Sequence, residues 1–330
     1  MRIAVDGMGG DYAPKAVVEG AILAATEYGF EVVIVGDRAR IEKELSKIRS
    51  VPPGVTVHHA SEVIGMDEPG AISARNKKDS SICVATDLVK EGKADAVVSA
   101  GNTAAFVSAA IMSLRRLEGV ERPGIAVLLP SMKGPIVMID CGATINPEPS
   151  HLMGFGIMGD VYVRHILGKE NPSIGLLNIG EESTKGPEFL KEAHQLLESS
   201  KLNFQGNAEG RDIFAGKFDV IVCDGYTGNV VLKVAESIAT TIGSFIKDEL
   251  KRDPLRILGG LLSASAFTEV KKQMDYAERG GAPLLGVNGI CIISHGRSSA
   301  KAIKNAIRVA GAFVEHQVNQ HILESVKKTS

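Results

Sequence analysis

Tryptophan is absent from this 330-residue chain, and aromatic residues make up only 5% of it. That composition argues against a platform for stacking bases or sugar rings. Neither sign of charge dominates: 37 Lys and Arg stand against 39 Asp and Glu, a net charge of −2. A nucleic-acid binder needs a basic field to neutralise phosphates, and this balance does not supply one. Cysteine is sparse. Cys83, Cys141, Cys223 and Cys291 lie far apart with no C-x-x-C pair, which predicts reduced thiols rather than a disulfide framework or a zinc site. Long charge-free runs are scarce too. Ala96–Leu114 reaches nineteen residues, but Ser99, Gly101, Asn102 and Thr103 break it into a strand, a turn and a buried helix. An acid, Asp6, stands where a secretory signal would carry its apolar stretch. With 44% hydrophobic and 23% charged residues, the expectation is a soluble, cytoplasmic, globular protein.

What is present is alternation. Short apolar, largely β-branched runs at Arg2–Asp6, Glu31–Val35, Val55–His58, Asp95–Val98, Ile125–Leu129, Ile136–Asp140, Ile174–Asn178, Phe218–Cys223 and Cys291–Ser294 are separated by helical patterns. This predicts an α/β fold, built as an α/β/α sandwich around a mostly parallel, Rossmann-like sheet. Ile125–Leu129 and Ile136–Asp140 lie so close together that one pair is expected to be antiparallel or to cross between layers. No repeat or low-complexity linker divides the chain, so residues 1–330 read as one unit, with a sub-domain boundary near 147–149. A long helix from Gly228 to about Leu250 leads into an apolar tip at 250–272, giving a protruding helical segment near 230–280.

Ligands of open α/β sheets bind beyond the C-terminal ends of the strands. Five such ends carry the same small polar chemistry: Asp6-Gly7-Met8-Gly9-Gly10-Asp11, Ser99-Ala100-Gly101-Asn102-Thr103, Asn178–Gly186, Cys223-Asp224-Gly225-Tyr226-Thr227-Gly228-Asn229 and His295-Gly296-Arg297-Ser298-Ser299. Taken singly, each is explained by a tight turn or a helix cap. Together they suggest one cleft for an oxyanion, with glycine-bearing turns at helix N-termini. The first is not a dinucleotide fingerprint, because Tyr12 occupies the third glycine position, although Asp37 imitates the acid that binds a ribose hydroxyl. Walker, nucleophile-elbow and zinc-hydrolase signatures are missing.

The segments IAVDGMGGDYAP, RNKKDSS (Arg75–Ser81), SAGNT, DCGAT, NIGEE with its following KG, AEGRDI (Ala208–Ile213), CDGYTGNVVLK and GAPLLGVNG with SHG follow one another from residue 3 to about 300. In that order and spacing they resemble the phosphate acyltransferase family known as PlsX. One departure is Ala104, where a glycine would follow Gly-Asn-Thr. The resemblance implies transfer of a long acyl chain from an acyl carrier protein thioester to inorganic phosphate. The acyl phosphate would feed a membrane glycerol-3-phosphate acyltransferase in phospholipid synthesis. It also implies a fold similar to phosphotransacetylase and isocitrate dehydrogenase-like enzymes, and a homodimer. No metal and no organic cofactor enter the expectation.

The residues suit that reaction. Phosphate must be held, partly neutralised and aimed at the thioester carbonyl. Gly7, Gly9, Gly10 and Asp11, with Asn102, Thr103 and Lys185, are candidates to hold it. Asn178, Thr227, Gly228 and Asn229 are candidates to meet the charge developing on the carbonyl oxygen. If a base takes part, it is His295 or Asp224. Asp6 and Asp140, which would repel phosphate unless paired, are expected to orient Lys77, Lys78 or Lys185.

Several alternatives stand beside this reading. Cys141 or Cys223 would serve a covalent route given a lowered pKa, whereas inert buried thiols leave direct attack by phosphate. Leu255, Leu258, Leu261 and Leu262 fall at helical spacing between basic residues, as a membrane-touching tip or as a dimer interface. Arg252, Arg256, Lys271 and Lys272, or instead Arg75, Lys77 and Lys78, would dock an acidic carrier protein. The rival functions are an NAD-dependent dehydrogenase and a non-catalytic adaptor joining carrier protein to membrane.

Overall fold

Most central strands are buried on both faces, and the alternation of their side chains sets the architecture. In β1 (Arg2–Asp6), Ile3 and Val5 enter one core while Ala4 enters the other. Val32 and Ile34 of β2 (Glu31–Gly36) face the first core and Val35 the second. The same two cores continue through a second sheet, where Val137 and Ile139 of β7 (Ile136–Ile139) oppose Ile136 and Met138. Strands covered on both sides read as near-continuous apolar runs, as these do. The computed structural model describes residues 1–274 and 279–329.

The strands divide between two sheets. The first runs β3 (Val55–His59), β2, β1, β4 (Ala96–Ser99), β12 (Ile290–Ile293), β11 (Ala282–Leu285), β5 (Gly124–Ile125). It is parallel except where β11 pairs with β12 and β5. The second runs β6 (Val127–Leu129), β7, β10 (Val220–Val222), β8 (Ile174–Leu177), β9 (Phe204–Ala208), with only β6 antiparallel. The run Ile125–Leu129 therefore does cross: Ile125 belongs to one sheet and Val127 to the other, and β6 returns antiparallel on β7. Residues 147–149 fall within the stretch that builds the second sheet, at the start of α6 (Pro149–Ile166).

Helices cover both faces. α1 (Lys15–Tyr28), α6, α7 (Glu188–Glu198), α12 (Ala300–Glu315) and α13 (Val318–Thr329) close the first core; α4 (Ser81–Lys90) and α5 (Thr103–Ser113) close the second. Smaller helices are α2 (Arg38–Leu45), α3 (Gly70–Asn76) and α8 (Gly210–Ala215). α9 (Gly225–Leu250), α10 (Pro254–Leu262) and α11 (Ala264–Met274) form the helical segment expected near 230–280. Within α9 only Gly225 and Gly228 are buried, and within α10 nothing is. Among the described residues α9 is also the one helix long and apolar enough to cross a membrane, by length and composition. The charge-free run Ala96–Leu114 becomes β4, a turn and α5.

Candidate active site

β1 leads to β2 on one side and lies against β4 on the other, so the C-terminal ends of β1 and β4 form the switch point of the first sheet. Three of the five polar strand ends meet there. The Asp11 N–H donates to the Gly296 carbonyl at 2.7 Å. A Cβ on Gly10 (φ +95°) would lie 2.9 Å from that same oxygen, and one on Gly9 would lie 2.4 Å from Asp6 Oδ2 and 2.6 Å from Gly101 N. Only glycine permits this approach of three loops.

Asp6 holds the junction. Its buried carboxylate accepts the Ser99 hydroxyl at 2.7 Å and the Met8 N–H at 3.2 Å, with Ser81 and the Gly9 N–H as further donors. Burial pushes its pKa up, and these donors pull against that rise. Asp6 thus ties loops together and orients no lysine, contrary to the sequence expectation. Sequence reasoning misses Ser81 and Ser99 as site residues; the signal that could have found them is that Ser81 ends the segment RNKKDSS and Ser99 opens SAGNT.

The phosphate-cradle expectation for Gly7–Asp11 needs correction in detail. Gly7 N–H is spent on the Val35 carbonyl, Met8 and Gly9 on Asp6, and Asp11 on Gly296. Of the loop's amides, that leaves Gly10. Asn102 is a clamp: its Oδ1 caps α5 by accepting Ala105 N–H, and its Nδ2 donates to the Glu68, Gly65 and Met66 carbonyls. Thr103 is exposed at the first turn of α5. Asp37 caps α2 through the Arg40 N–H, so the imitation of a ribose-binding acid is a capping residue.

The second sheet repeats the device. Asp140, fully buried after β7, accepts four backbone N–H groups: Ile125 at 2.8 Å, Gly142 at 3.1 Å, Ala143 at 3.0 Å and Thr144 at 2.6 Å. Burial raises its pKa while the four donors oppose the rise. It too orients backbone instead of Lys77, Lys78 or Lys185. The start of α9 is pressed onto this loop, with Gly225 N–H donating to the Thr144 carbonyl. Asp224 caps α9 by accepting Thr227 N–H at 2.8 Å. Gly228 is buried against Asp140, and Asn229 lies exposed beside Gly142.

Next along the sheet, Asn178 accepts Ile179 N–H and donates Nδ2 to the Lys185 carbonyl at 3.0 Å. This fixes the backbone of the 179–186 loop while the Lys185 side chain stays exposed. Asn178 thus holds the backbone of the loop that carries Lys185. The two groups of loops are linked through α9, whose Lys233 and Glu236 act electrostatically on His295.

His295 differs from the expected base. Its Nδ1 accepts the Arg297 backbone N–H at 3.0 Å, so the neutral ring carries its proton on Nε2. Burial lowers its pKa and favours that neutral form. In that form Nε2 is the donor position of the ring. All four cysteines are buried. Cys141 donates to the Met138 carbonyl and Cys223 to the Asp140 carbonyl, and burial pushes both thiols well up.

At the far end of the helical segment Leu255 and Leu262 are each 78% exposed, with Leu258 and Leu261 beside them at 53% and 69%. Arg252 pairs with Glu249, and Arg256 with Glu249 and Asp253. The side chains of Lys271 and Lys272 lie outside the described residues.

Comparison with known proteins returns consistent descriptions. The profile of the family described as "Fatty acid synthesis protein" matches residues 1–321. A phosphate acyltransferase of Geobacter sulfurreducens is 48% identical over 327 residues, covering 99% of this chain and 94% of that one. Those of Geotalea uraniireducens (49%) and Pelotomaculum thermopropionicum (48%) match over 328 residues, 99% of this chain and 95% of theirs. Among solved structures, a phosphotransacetylase from Streptococcus pyogenes superposes with a TM-score of 0.65 at 19% identity, covering 97% of this chain and 94% of that one. A 4-hydroxythreonine-4-phosphate dehydrogenase from Klebsiella pneumoniae gives 0.54 at 14%, covering 95% and 98%. At such identities the likeness is one of fold, which hosts both chemistries.

Proposed function

Because the chain belongs to the fatty acid synthesis protein family, the PlsX phosphate acyltransferases, and is an acyltransferase, we propose that it moves a long acyl chain from acyl carrier protein to inorganic phosphate by direct attack. The observation that carries direct attack is the burial of every cysteine, with Cys141 and Cys223 held as thiols. A covalent route needs an accessible thiolate. Hydrogen phosphate is already a nucleophile at neutral pH. One of its oxygens forms the new C–O bond, the carbonyl oxygen carries the transient charge, and the C–S electron pair leaves with the carrier sulfur. The proton of hydrogen phosphate ends on that sulfur. The reaction is reversible, and its product supplies phospholipid synthesis through a membrane glycerol-3-phosphate acyltransferase.

Positioning and electrostatics supply the catalysis. The Gly10 amide, Thr103 and Lys185 hold phosphate. The N-terminus of α9, with Thr227 and Asn229, faces the developing oxyanion, where its helix dipole favours negative charge. His295 enters as a neutral Nε2–H donor. Residues 1–330 act as one catalytic unit, with 250–272 as its tip.

Mass spectrometry of long-chain acyl carrier protein incubated with the chain tests the reaction. Free carrier and acyl phosphate should appear only with phosphate present; an intact thioester in both tubes would end the proposal. Lys185→Ala should raise the phosphate KM by about tenfold with unchanged melting, as loss of one charge-assisted contact predicts. An unaltered phosphate dependence would remove Lys185 from the site.

The helical segment has two further roles in this reading. Val230, Val234, Ile238 and Ile242, four residues apart and each 44–54% exposed, line one face of α9. A second copy covers that stripe, giving a homodimer in which two such helices pack. The α10 leucines lie beyond it and touch the membrane surface, making the cytoplasmic enzyme peripherally associated. Leu258→Glu with Leu261→Glu should abolish flotation with anionic liposomes and leave a dimer by light scattering. A monomeric product would instead place those leucines in the subunit interface.

A further inference from the structure

The carrier protein must dock somewhere that lets its thioester arm reach the strand ends, and among the described residues the basic side chains at the tip and around α3 differ in whether they are paired. At the tip, Arg252 and Arg256 are neutralised by Glu249 and Asp253. At α3, Lys77 is likewise paired, with Glu68 at 2.7 Å. Arg75, Lys78 and Lys90 are different: they are exposed, no ion pair engages them among the described residues, and all three line one cavity of about 430 Å3 between α3, α4 and α5.

That cavity has an apolar side made by Ala74, Ala109 and Met112. Its polar side is quiet, since Asp87 is turned to the Ser113 hydroxyl and the Cys83 thiol to the Ala74 carbonyl. It is also joined to the candidate site by both helices that form it. α4 begins at Ser81, a donor to Asp6, and Cys83 lines the cavity two residues later. α5 begins beside the Gly101–Thr103 turn and reaches the cavity at Ala109. At 1.5 Å per residue, Lys90 stands about 13 Å along α4 from the residue that touches Asp6. A cationic rim, an apolar flank and a short run to the phosphate loops match a partner with an acidic surface and an arm bearing a phosphodiester and an acyl thioester.

We propose that the acyl carrier protein docks its acidic face on Arg75, Lys78 and Lys90 and lays its arm through the α3–α4–α5 cavity towards the Asp6 junction; this rests on the function proposed above. Exposed cations of this kind steer association and set its salt dependence. They leave phosphate binding to other residues.

Two measurements on the full chain test it. With Arg75→Glu, Lys78→Glu and Lys90→Glu combined, binding of apo carrier protein by fluorescence anisotropy at low salt should weaken by at least about tenfold, and the KM for acyl carrier protein should rise in parallel. The phosphate KM should stay put, and for the parent chain binding should weaken steeply with added salt. If the triple variant melts early, Lys78→Ala with Lys90→Ala replaces it, with a smaller loss in the same direction. Unchanged carrier affinity overturns the inference, as does a loss produced instead by Arg252→Glu with Arg256→Glu. A parent chain that binds carrier in a salt-dependent way yet leaves its thioester intact would overturn the proposed reaction and keep the docking site.

Discussion

Gly228→Ala should cost about 3 kcal/mol or more and unseat α9, well above the usual effect of adding one methyl group to a packed site. A Cβ at Gly228 would stand 1.9 Å from the Asp140 carbonyl oxygen and 2.9 Å from Cys223 Sγ. The nearer atom is backbone, and that carbonyl is itself held as the acceptor of the Cys223 thiol. Neither side can rotate out of the way, so relief comes only by lifting the first turn of α9 off the β7 loop. That turn carries Thr227 and Asn229, so phosphate-dependent turnover should fall with stability. Gly243 of the same helix has no atom within 4 Å of its would-be Cβ. Gly243→Ala should therefore gain up to about 1 kcal/mol from helix propensity alone. Urea unfolding of the two variants is the measurement, and a Gly228→Ala chain as stable as its parent would refute this seating of α9.

Asp140→Ala should be comparably damaging for a different reason. It strips the acceptor from four N–H groups, those of Ile125 and Thr144 buried and those of Gly142 and Ala143 part-buried, and a buried donor left unmade costs roughly 1–3 kcal/mol. With partial relaxation, a loss of about 4 kcal/mol is expected. Asp140→Asn keeps an oxygen where Oδ1 accepts Ile125, Gly142 and Ala143, but sets an NH2 group against the Thr144 N–H now held by Oδ2. One mismatched contact should cost roughly 1–3 kcal/mol. Stability and phosphate affinity should both rank Asp, then Asn, then Ala. Equal losses for Asn and Ala would mean that the charge, and not the hydrogen bonds, holds the loop.

The largest legible part of this protein was its strands. Apolar runs of four or five residues, such as Ile136–Ile139 and Ile174–Leu177, announce strands covered on both faces, because burial on two sides removes any polar alternation. Two strands, β9 and β11, lack that signature. β9 reads FQGNA, and β11 carries Pro283, whose ring removes a ladder donor and is tolerated where its carbonyl accepts Ala126 N–H. The division into two sheets was equally hidden, since Ala126 alone separates β5 from β6 and nothing in Ile125–Leu129 marks the change of sheet.

By itself the sequence determined the α/β class, the set of polar strand ends and, through its ordered motifs, the family. Those are properties of local pattern: apolar runs, glycines after strands, and short segments in a given order. Only the tertiary structure decided what each polar group is free to do. Asp6, Asn102, Asp140 and Asn178 look from their neighbours like parts of a binding site, but the folded chain engages each one structurally: Asp6 with the Ser81 and Ser99 hydroxyls and two amides of its own loop, Asn102 with the Gly65, Met66 and Glu68 carbonyls, Asp140 with the Ile125 N–H and three amides of its own loop, and Asn178 with the backbone of the loop that follows it. A buried N–H or carbonyl must find a partner, and these side chains are the partners. His295 likewise became a donor because one backbone N–H claims Nδ1. Whether Arg252 and Arg256 carry free charge depended on where Glu249 and Asp253 came to rest, and pairing between side chains is settled only when the chain has folded.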